Sequence, residues 1–327
     1  MLERPIRPTQ AYEPPQRANM NQSERADQIQ IINHLSGLTP SIDPKYLYDP
    51  LGCRLFDAIT FLDEYYPTKI EQVLIEQHLD DISREAGNAA TLIDLGAGNC
   101  QKARPLLSRL APAHYLAVDI SEKFLQETLS PLRHEYPKVA IEALAADLGS
   151  NWTLPLAETA GHRMFFYPGS SIGNFSANAA RNLLGRVFGH CRKGDSLLIG
   201  IDLIKDRRVL EAAYNDSIGL TAAFNLNILA HINRLIDSDF DPGRWLHRAF
   251  FNAEKQRVEM HVEACETHTV NWPGGHRRFV AGERIHTENS HKYCLPEFTA
   301  CLQEAGFGKV RSWTDSRQWF AICHAQA

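Results

Sequence analysis

Two glycines and two carboxylates, spaced along the middle of the chain, are the residues whose types point first to chemistry. The run Leu92-Ile93-Asp94-Leu95 breaks into Gly96-Ala97-Gly98-Asn99-Cys100-Gln101-Lys102, which predicts a strand entering a tight loop. Glycine reaches positive φ and lets backbone approach a ligand, so Gly96 and Gly98 point to a nucleotide-sized molecule over the strand's end. A second apolar run, Tyr115 to Val118, delivers Asp119 roughly 20 residues beyond the glycines, where such folds set a carboxylate on a ribose diol. After a third run, in Ile141-Glu142-Ala143-Leu144-Ala145-Ala146-Asp147-Leu148, Asp147 can accept from the exocyclic amine of an adenine.

What is missing narrows the ligand. A dinucleotide fingerprint wants a third glycine to pack helix on strand, and Gln101 stands there. This favours S-adenosylmethionine over a nicotinamide dinucleotide, and no hydride-transfer pair is evident that would suit a dehydrogenase. Each feature alone also fits an ordinary turn or a loop-opening acid. Three in register outweigh that reading.

These residues need a sheet to position them. Apolar runs at Leu92 to Leu95, Tyr115 to Val118, Ala140 to Ala143, Arg163 to Tyr167 and Ser196 to Ile201 alternate with helical segments, the pattern of a parallel α/β sheet. The loop Pro168-Gly169-Ser170-Ser171-Ile172-Gly173-Asn174 then falls at the carboxyl end of a central strand, where open α/β sheets hold ligands. Ahead of the first strand, helical pattern begins at Ser23 and continues, with a break at 40–44, through helices near 52–60 and 67–84. Residues 1–20 carry several prolines and read as a mobile or extended arm. Beyond Asp202 come a long helical stretch, Arg207 to Leu235, a hairpin of Trp245 to Phe251 with Arg257 to Ala264, and a strand from Glu283 to Glu288. A helix at Leu295 to Ala305, stopped by Gly306, and apolar segments at 308–313 and 318–323 close the chain. The division expected is residues 1–69 and 204–291 as one lid over a Rossmann-like domain of residues 70–203 and 292–327, with a substrate site between them.

Composition excludes several classes. At 327 residues and 44% hydrophobic content the chain can bury one large core or two smaller ones, and its net charge of −5 gives no basic field for nucleic acid. No apolar run approaches the ~20 residues of a membrane span, and the N-terminus lacks the apolar stretch of a signal peptide; a cytoplasmic protein, with a monomer favoured, is expected. The seven cysteines form no CxxC pair and fit reduced thiols, with Cys100 read as structural. His286 and His291 flank Glu288, yet isolated histidines are more often plain hydrogen-bonding residues, so no metal is expected.

From about Tyr46 onward the chain resembles the L-histidine Nα-methyltransferases of ergothioneine biosynthesis. The resemblance rests on Tyr48-Asp49-Pro50-Leu51-Gly52, Phe56-Asp57-Ala58-Ile59-Thr60, Glu64-Tyr65-Tyr66-Pro67-Thr68, the loop Gly96 to Lys102, Gly169 to Asn174, Gly194-Asp195-Ser196-Leu197-Leu198, Asp202-Leu203-Ile204-Lys205-Asp206, Ala222-Ala223-Phe224-Asn225 and Thr287-Glu288-Asn289-Ser290. It implies a class I, Rossmann-like methyltransferase domain with a lid, trimethylation of L-histidine to hercynine, S-adenosylmethionine as donor and S-adenosylhomocysteine as product. By position it implies cofactor contacts at Gly96, Lys102, Asp119, Asp147 and Leu148. Substrate contacts are implied at Tyr65, Gly169, Asn174, Tyr214, Glu288, Asn289 and Ser290, with Tyr48 lining the amine region. Taken singly, Tyr214 on a helix would be a packing residue, Asn174 a turn former and Lys102 a solvated charge.

The chemistry is consistent with those roles. Displacement at a sulfonium methyl asks mainly for alignment, and Tyr48 and Tyr65 can hydrogen-bond the early amine and offer π-faces to the growing cation. Glu288 and Ser290 are two apart, so on an extended strand they face one way, a carboxylate and a hydroxyl able to hold an imidazole. A relative acting on another amino acid or amine is the alternative within the class, and a non-catalytic binding protein the alternative outside it.

Overall fold

The computed structural model describes residues 22–87, 89–150, 152–154 and 161–327; the arm expected at residues 1–20 lies outside them. In chain order the elements are α1 (Gln22–Ser36), α2 (Pro50–Ile59), α3 (Tyr66–Gln77), α4 (Leu79–Ala86), β1 (Ala89–Leu95), α5 (Arg104–Leu110), β2 (His114–Asp119), α6 (Glu122–Glu135), β3 (Ala140–Ala145) and β4 (His162–Tyr167). They continue with α7 (Ala177–His190), β5 (Ser196–Asp202), α8 (Arg207–Ala212), α9 (Leu220–Ile236), β6 (Trp245–Asn252), β7 (Arg257–Ala264), β8 (His268–Trp272), β9 (Gly275–Phe279), β10 (Arg284–His291), α10 (Leu295–Glu304), β11 (Val310–Thr314) and β12 (Phe320–Gln326).

Seven strands form one sheet in the order β3-β2-β1-β4-β5-β12-β11. The first five run parallel, while β12 is antiparallel to β5 and β11 antiparallel to β12. This is the Rossmann-like architecture read from the alternating pattern, with its closing antiparallel pair. Strand order reverses between β1 and β4, so a cleft opens at their carboxyl ends, where the glycine loop and Gly169 emerge. Adjacent apolar residues on these strands serve opposite faces, as expected of a sheet covered on both sides: Leu92 and Phe166 pack with Leu106, Tyr115 and Leu125, while Ile93 and Phe165 pack with Leu183, Leu197 and Leu302.

A third buried cluster draws on two distant stretches of chain. Ile31, Leu35, Leu47 and Tyr65 pack with Leu210, Phe224, Ile228, Val262 and Ile285. Its strands form a sheet of order β10-β7-β6 and a two-stranded pair, β8-β9. The anticipated hairpin is the β6-β7 pair, in register from Trp245 opposite Ala264 to Asn252 opposite Arg257. Residues 268–279, left unread from sequence, form the second hairpin around Pro273-Gly274. No helix among the described residues is long and apolar enough to cross a membrane.

The structure corrects three expectations about elements. The helical stretch from Arg207 to Leu235 is two helices, because Asp216 folds its carboxylate onto the start of α9, accepting from Leu220 N at 2.8 Å and Thr221 N at 2.7 Å, and Gly219 takes φ +80°. An acceptor there satisfies amides that have no partner within the helix. Helix 67–84 is interrupted at His78, dividing α3 from α4. The last lid strand runs to His291 rather than ending at Glu288, so Asn289 and Ser290 lie within it.

Candidate active site

The glycine loop is pinned to β2. Gly96 N and Ala97 N both donate to Val118 O, at 2.8 and 3.0 Å. Gly96, Gly98 and Cys100 take φ of +69°, +51° and +55°, and a side chain on Gly98 would meet nothing within 4 Å, so the backbone there faces open space. Asp119 closes the loop, accepting from Gly98 N at 2.9 Å and Ser121 N at 3.1 Å. Burial raises its carboxyl above the ordinary range against the pull of those backbone donors. Asp147 accepts from Gly149 N at 2.7 Å through one oxygen, and Leu148 beside it packs against the core. A part-buried glycine loop held by a strand-end carboxylate, with a second carboxylate after the neighbouring strand β3, suits the ribose and adenine of an adenosine-bearing cofactor. Cys100 is buried, and burial pushes its thiol up to about 12, which suits packing rather than nucleophilic attack.

Lys102 reaches across to α3. Its Nζ pairs with Glu71 Oε2 at 2.6 Å, and the Glu71 carboxylate also accepts from Gly169 N at 2.9 Å. A fully buried carboxylate thus ties the glycine loop to the loop after β4. The sheet makes room for it at Gly200, where a Cβ would lie 1.8 Å from Glu71 Oε1.

Opposite stands a cavity lined by Tyr48, Tyr65, Gly169, Asn174, Tyr214, Glu288 and Ser290. Phe56, Phe224 and Met260 complete its apolar side. Glu288 is buried, and its Oε1 accepts from Asn174 Nδ2 at 3.2 Å and Tyr48 Oη at 3.5 Å. Burial lifts this carboxyl to about 7, although Lys292 and the Tyr48 hydroxyl pull the other way. Tyr48 sits edge-on to Phe56 and Phe224, while Tyr65 sits edge-on to Phe56 and Tyr214. Burial holds both phenols well above their usual range, so they remain O–H groups rather than bases. The Tyr65 hydroxyl makes no hydrogen bond among the described residues, and Tyr65 lines the cavity.

Beneath Ser290 lies a buried polar chain. Tyr214 Oη donates to Ser290 Oγ at 2.6 Å, and Lys292 Nζ donates to Ser290 Oγ at 2.8 Å and Tyr214 Oη at 3.1 Å. Lys292 also pairs with Asp202 Oδ2 at 2.8 Å, and Asp202 in turn accepts from Tyr66 Oη at 2.7 Å and binds Lys205. The two lysines hold Asp202 below the usual carboxylate range against its burial.

Seven of the residues singled out from sequence, Tyr48, Tyr65, Gly169, Asn174, Tyr214, Glu288 and Ser290, therefore line one cavity, while Gly96, Lys102 and Asp119 lie in or beside the glycine loop. Asn289 does not line the cavity: its Oδ1 accepts from His286 Nε2 at 2.9 Å. A bulge at Thr287 shifts the register so that Thr287, Glu288 and Ser290 are all buried; bulges re-aim side chains in this way beside functional sites. Tyr214 lies past the end of α8 rather than on a helix, which leaves its hydroxyl free to reach Ser290. Among the described residues no group of three or more His, Cys, Asp or Glu side chains could hold a metal ion. Sequence reading gave no role to Glu71, Asp202 or Lys292. Asp202 ends β5 as Asp119 ends β2, and Lys292 continues the period of two from Glu288 and Ser290, signals that were available. Glu71 offered none.

Comparison with known proteins places this geometry in context. The model of a family described as "Histidine-specific methyltransferase, SAM-dependent" matches residues 27–327. The Histidine N-alpha-methyltransferase of Mycobacterium tuberculosis is 37% identical over 297 residues, covering 88% of this chain and 91% of that one. The Ergothioneine biosynthesis protein 1 of Neurospora crassa is 29% identical, with 91% of this chain aligned to 36% of its length. The L-tryptophan methyltransferase trpM of Psilocybe serbica is 25% identical, covering 86% and 87%.

Proposed function

The chain belongs to the histidine-specific, S-adenosylmethionine-dependent methyltransferases, and from that premise we propose that it methylates the α-amine of L-histidine three times, giving hercynine for ergothioneine biosynthesis. The observation that carries this reading is the pairing of Glu288 and Ser290 on one cavity wall, facing Tyr48 and Tyr65. A carboxylate and a hydroxyl side by side complement a ring bearing two nitrogens. The apolar and aromatic remainder suits a ring's faces.

Of the described residues, those within 1–69 and 204–291 act as a lid over those within 70–203 and 292–327, in a monomeric, cytoplasmic enzyme. The shared core of Ile31, Tyr65, Phe224 and Ile285 supports that division. Gly96, Lys102, Asp119, Asp147 and Leu148 hold the cofactor, which when bound supplies a methyl group activated by sulfonium charge. Gly169, tied to Lys102 through Glu71, joins the cofactor wall to the substrate wall. Asn174 and Tyr214 anchor the amino acid, and Tyr48 and Tyr65 line the amine.

The chain's contribution is alignment and exclusion of water. Tyr65 offers a free hydroxyl to the early amine, and both tyrosine rings face the cation that grows with successive methylations, an arrangement that retains charge better than an aliphatic wall. Binding measured by calorimetry on protein loaded with S-adenosylhomocysteine tests the assignment. Histidine should bind and tryptophan and lysine should not; equal binding of all three would overturn the specificity proposed.

A further inference from the structure

Lys292 is a buried ammonium whose donors are fully committed. An ammonium carries three N–H groups, and three oxygens surround this one: Asp202 Oδ2 at 2.8 Å, Ser290 Oγ at 2.8 Å and Tyr214 Oη at 3.1 Å. Tyr214, accepting from Lys292, passes its own hydrogen to Ser290 Oγ at 2.6 Å. Ser290 therefore receives two donors, and a hydroxyl has two lone pairs. Its own hydrogen has no acceptor among the described residues, so it turns into the cavity that Ser290 lines. Next to it, Glu288 keeps Oε1 engaged by Asn174 and Tyr48 and presents Oε2.

We infer that Lys292 is a positioning residue that sets the hydrogen-bond polarity of the substrate wall, fixing Ser290 as a donor beside Glu288 as an acceptor. The inference rests on the reading that the substrate's imidazole lies against these two residues. A wall with one acceptor and one donor matches a ring with one N–H and one bare nitrogen, which is neutral imidazole in a single tautomer. It opposes the imidazolium, whose second N–H would meet the Ser290 hydrogen, and it penalises a ring with carbon in place of the bare nitrogen, which leaves that hydrogen unpaired. Without Lys292, one lone pair of Ser290 is released and its hydroxyl can turn.

The test compares kcat/KM for histidine with that for a pyrrolylalanine that keeps the N–H and replaces the bare nitrogen by C–H. The wild-type enzyme should prefer histidine by about tenfold or more. Lys292→Met should bring the two substrates within about threefold, Ser290→Ala should do the same, and the double variant should lower the ratio no further, because one residue acts through the other. Tyr214→Phe frees a lone pair of Ser290 and costs Lys292 one acceptor but keeps the Lys292–Asp202 ion pair, should shift the ratio the same way, and decides the matter if Lys292→Met does not fold. An unchanged ratio in folded Lys292→Met, or additive losses in the double variant, overturns the inference. Failure of the wild-type protein to methylate histidine overturns instead the functional reading on which it rests.

Discussion

Asn174, in the loop after β4, donates to Glu288 Oε1, on β10, at 3.2 Å. This bond crosses from the sheet that carries the glycine loop to the sheet that carries Glu288, so it couples the placement of the two proposed halves of the site. The backbone agrees, for Gly173 lies so close to His291 that a Cβ would come within 2.9 Å of its carbonyl oxygen.

Removing the Glu288 carboxylate should weaken substrate and leave the cofactor alone. A charge-assisted bond from a substrate N–H is worth roughly 1.5 to 3 kcal/mol, so Glu288→Ala should lose about tenfold to a hundredfold in histidine affinity. Calorimetry with histidine and with S-adenosylhomocysteine checks it, and unchanged histidine binding removes Glu288 from the ring.

The same group sets a pH dependence. Burial raises its carboxyl to about 7, so between its ordinary range and pH 7 the folded protein holds a proton that the unfolded chain has released. Stability from this group therefore falls as pH rises through that window and is flat above it. Ligand binding runs oppositely, since an N–H donor needs the ionised form, and KM for histidine should fall as pH rises through about 7. In Glu288→Gln both trends should flatten, as read by melting temperature and KM between pH 5.5 and pH 8.5.

Asp119 holds the glycine loop through its bonds from Gly98 N and Ser121 N, and its proposed role is to bind the cofactor's ribose. Asp119→Ala should abolish measurable S-adenosylhomocysteine binding. Retention of tight binding would place the ribose elsewhere.

Glu71 predicts a stability effect. Its loss leaves the Lys102 ammonium and the Gly169 N–H without their acceptor, and breaking a buried pair from one side costs about 3 kcal/mol. Glu71→Ala should lower the denaturation midpoint accordingly and weaken the cofactor too. A midpoint within error of wild type would show that Lys102 finds a partner elsewhere.

The sheet was legible because parallel strands buried on both faces leave apolar runs that periodicity finds, as at Leu92–Leu95 and Phe165–Phe166. The proposed cofactor half of the site was legible for a related reason: Gly96, Gly98 and Asp119 sit at strand ends, where local sequence pattern and the proposed role point to the same residues. The substrate wall depends on events that leave little local trace. The bulge at Thr287 changes which residues face inward, and Asp216 caps a new helix start at Leu220 within a stretch that hydrophobic periodicity alone would continue, leaving Tyr214 between the two helices. Glu71 reads as one more polar residue on an amphipathic helix until Gly200, far along the chain, is seen to make room for it.

The central claim is tested most directly by incubating the protein with S-adenosylmethionine and L-histidine and counting by mass spectrometry the methyl groups added to the amino acid. The account predicts accumulation of histidine bearing three methyl groups on its α-nitrogen. Unmodified histidine, in the presence of another amino acid that does become methylated, would contradict it.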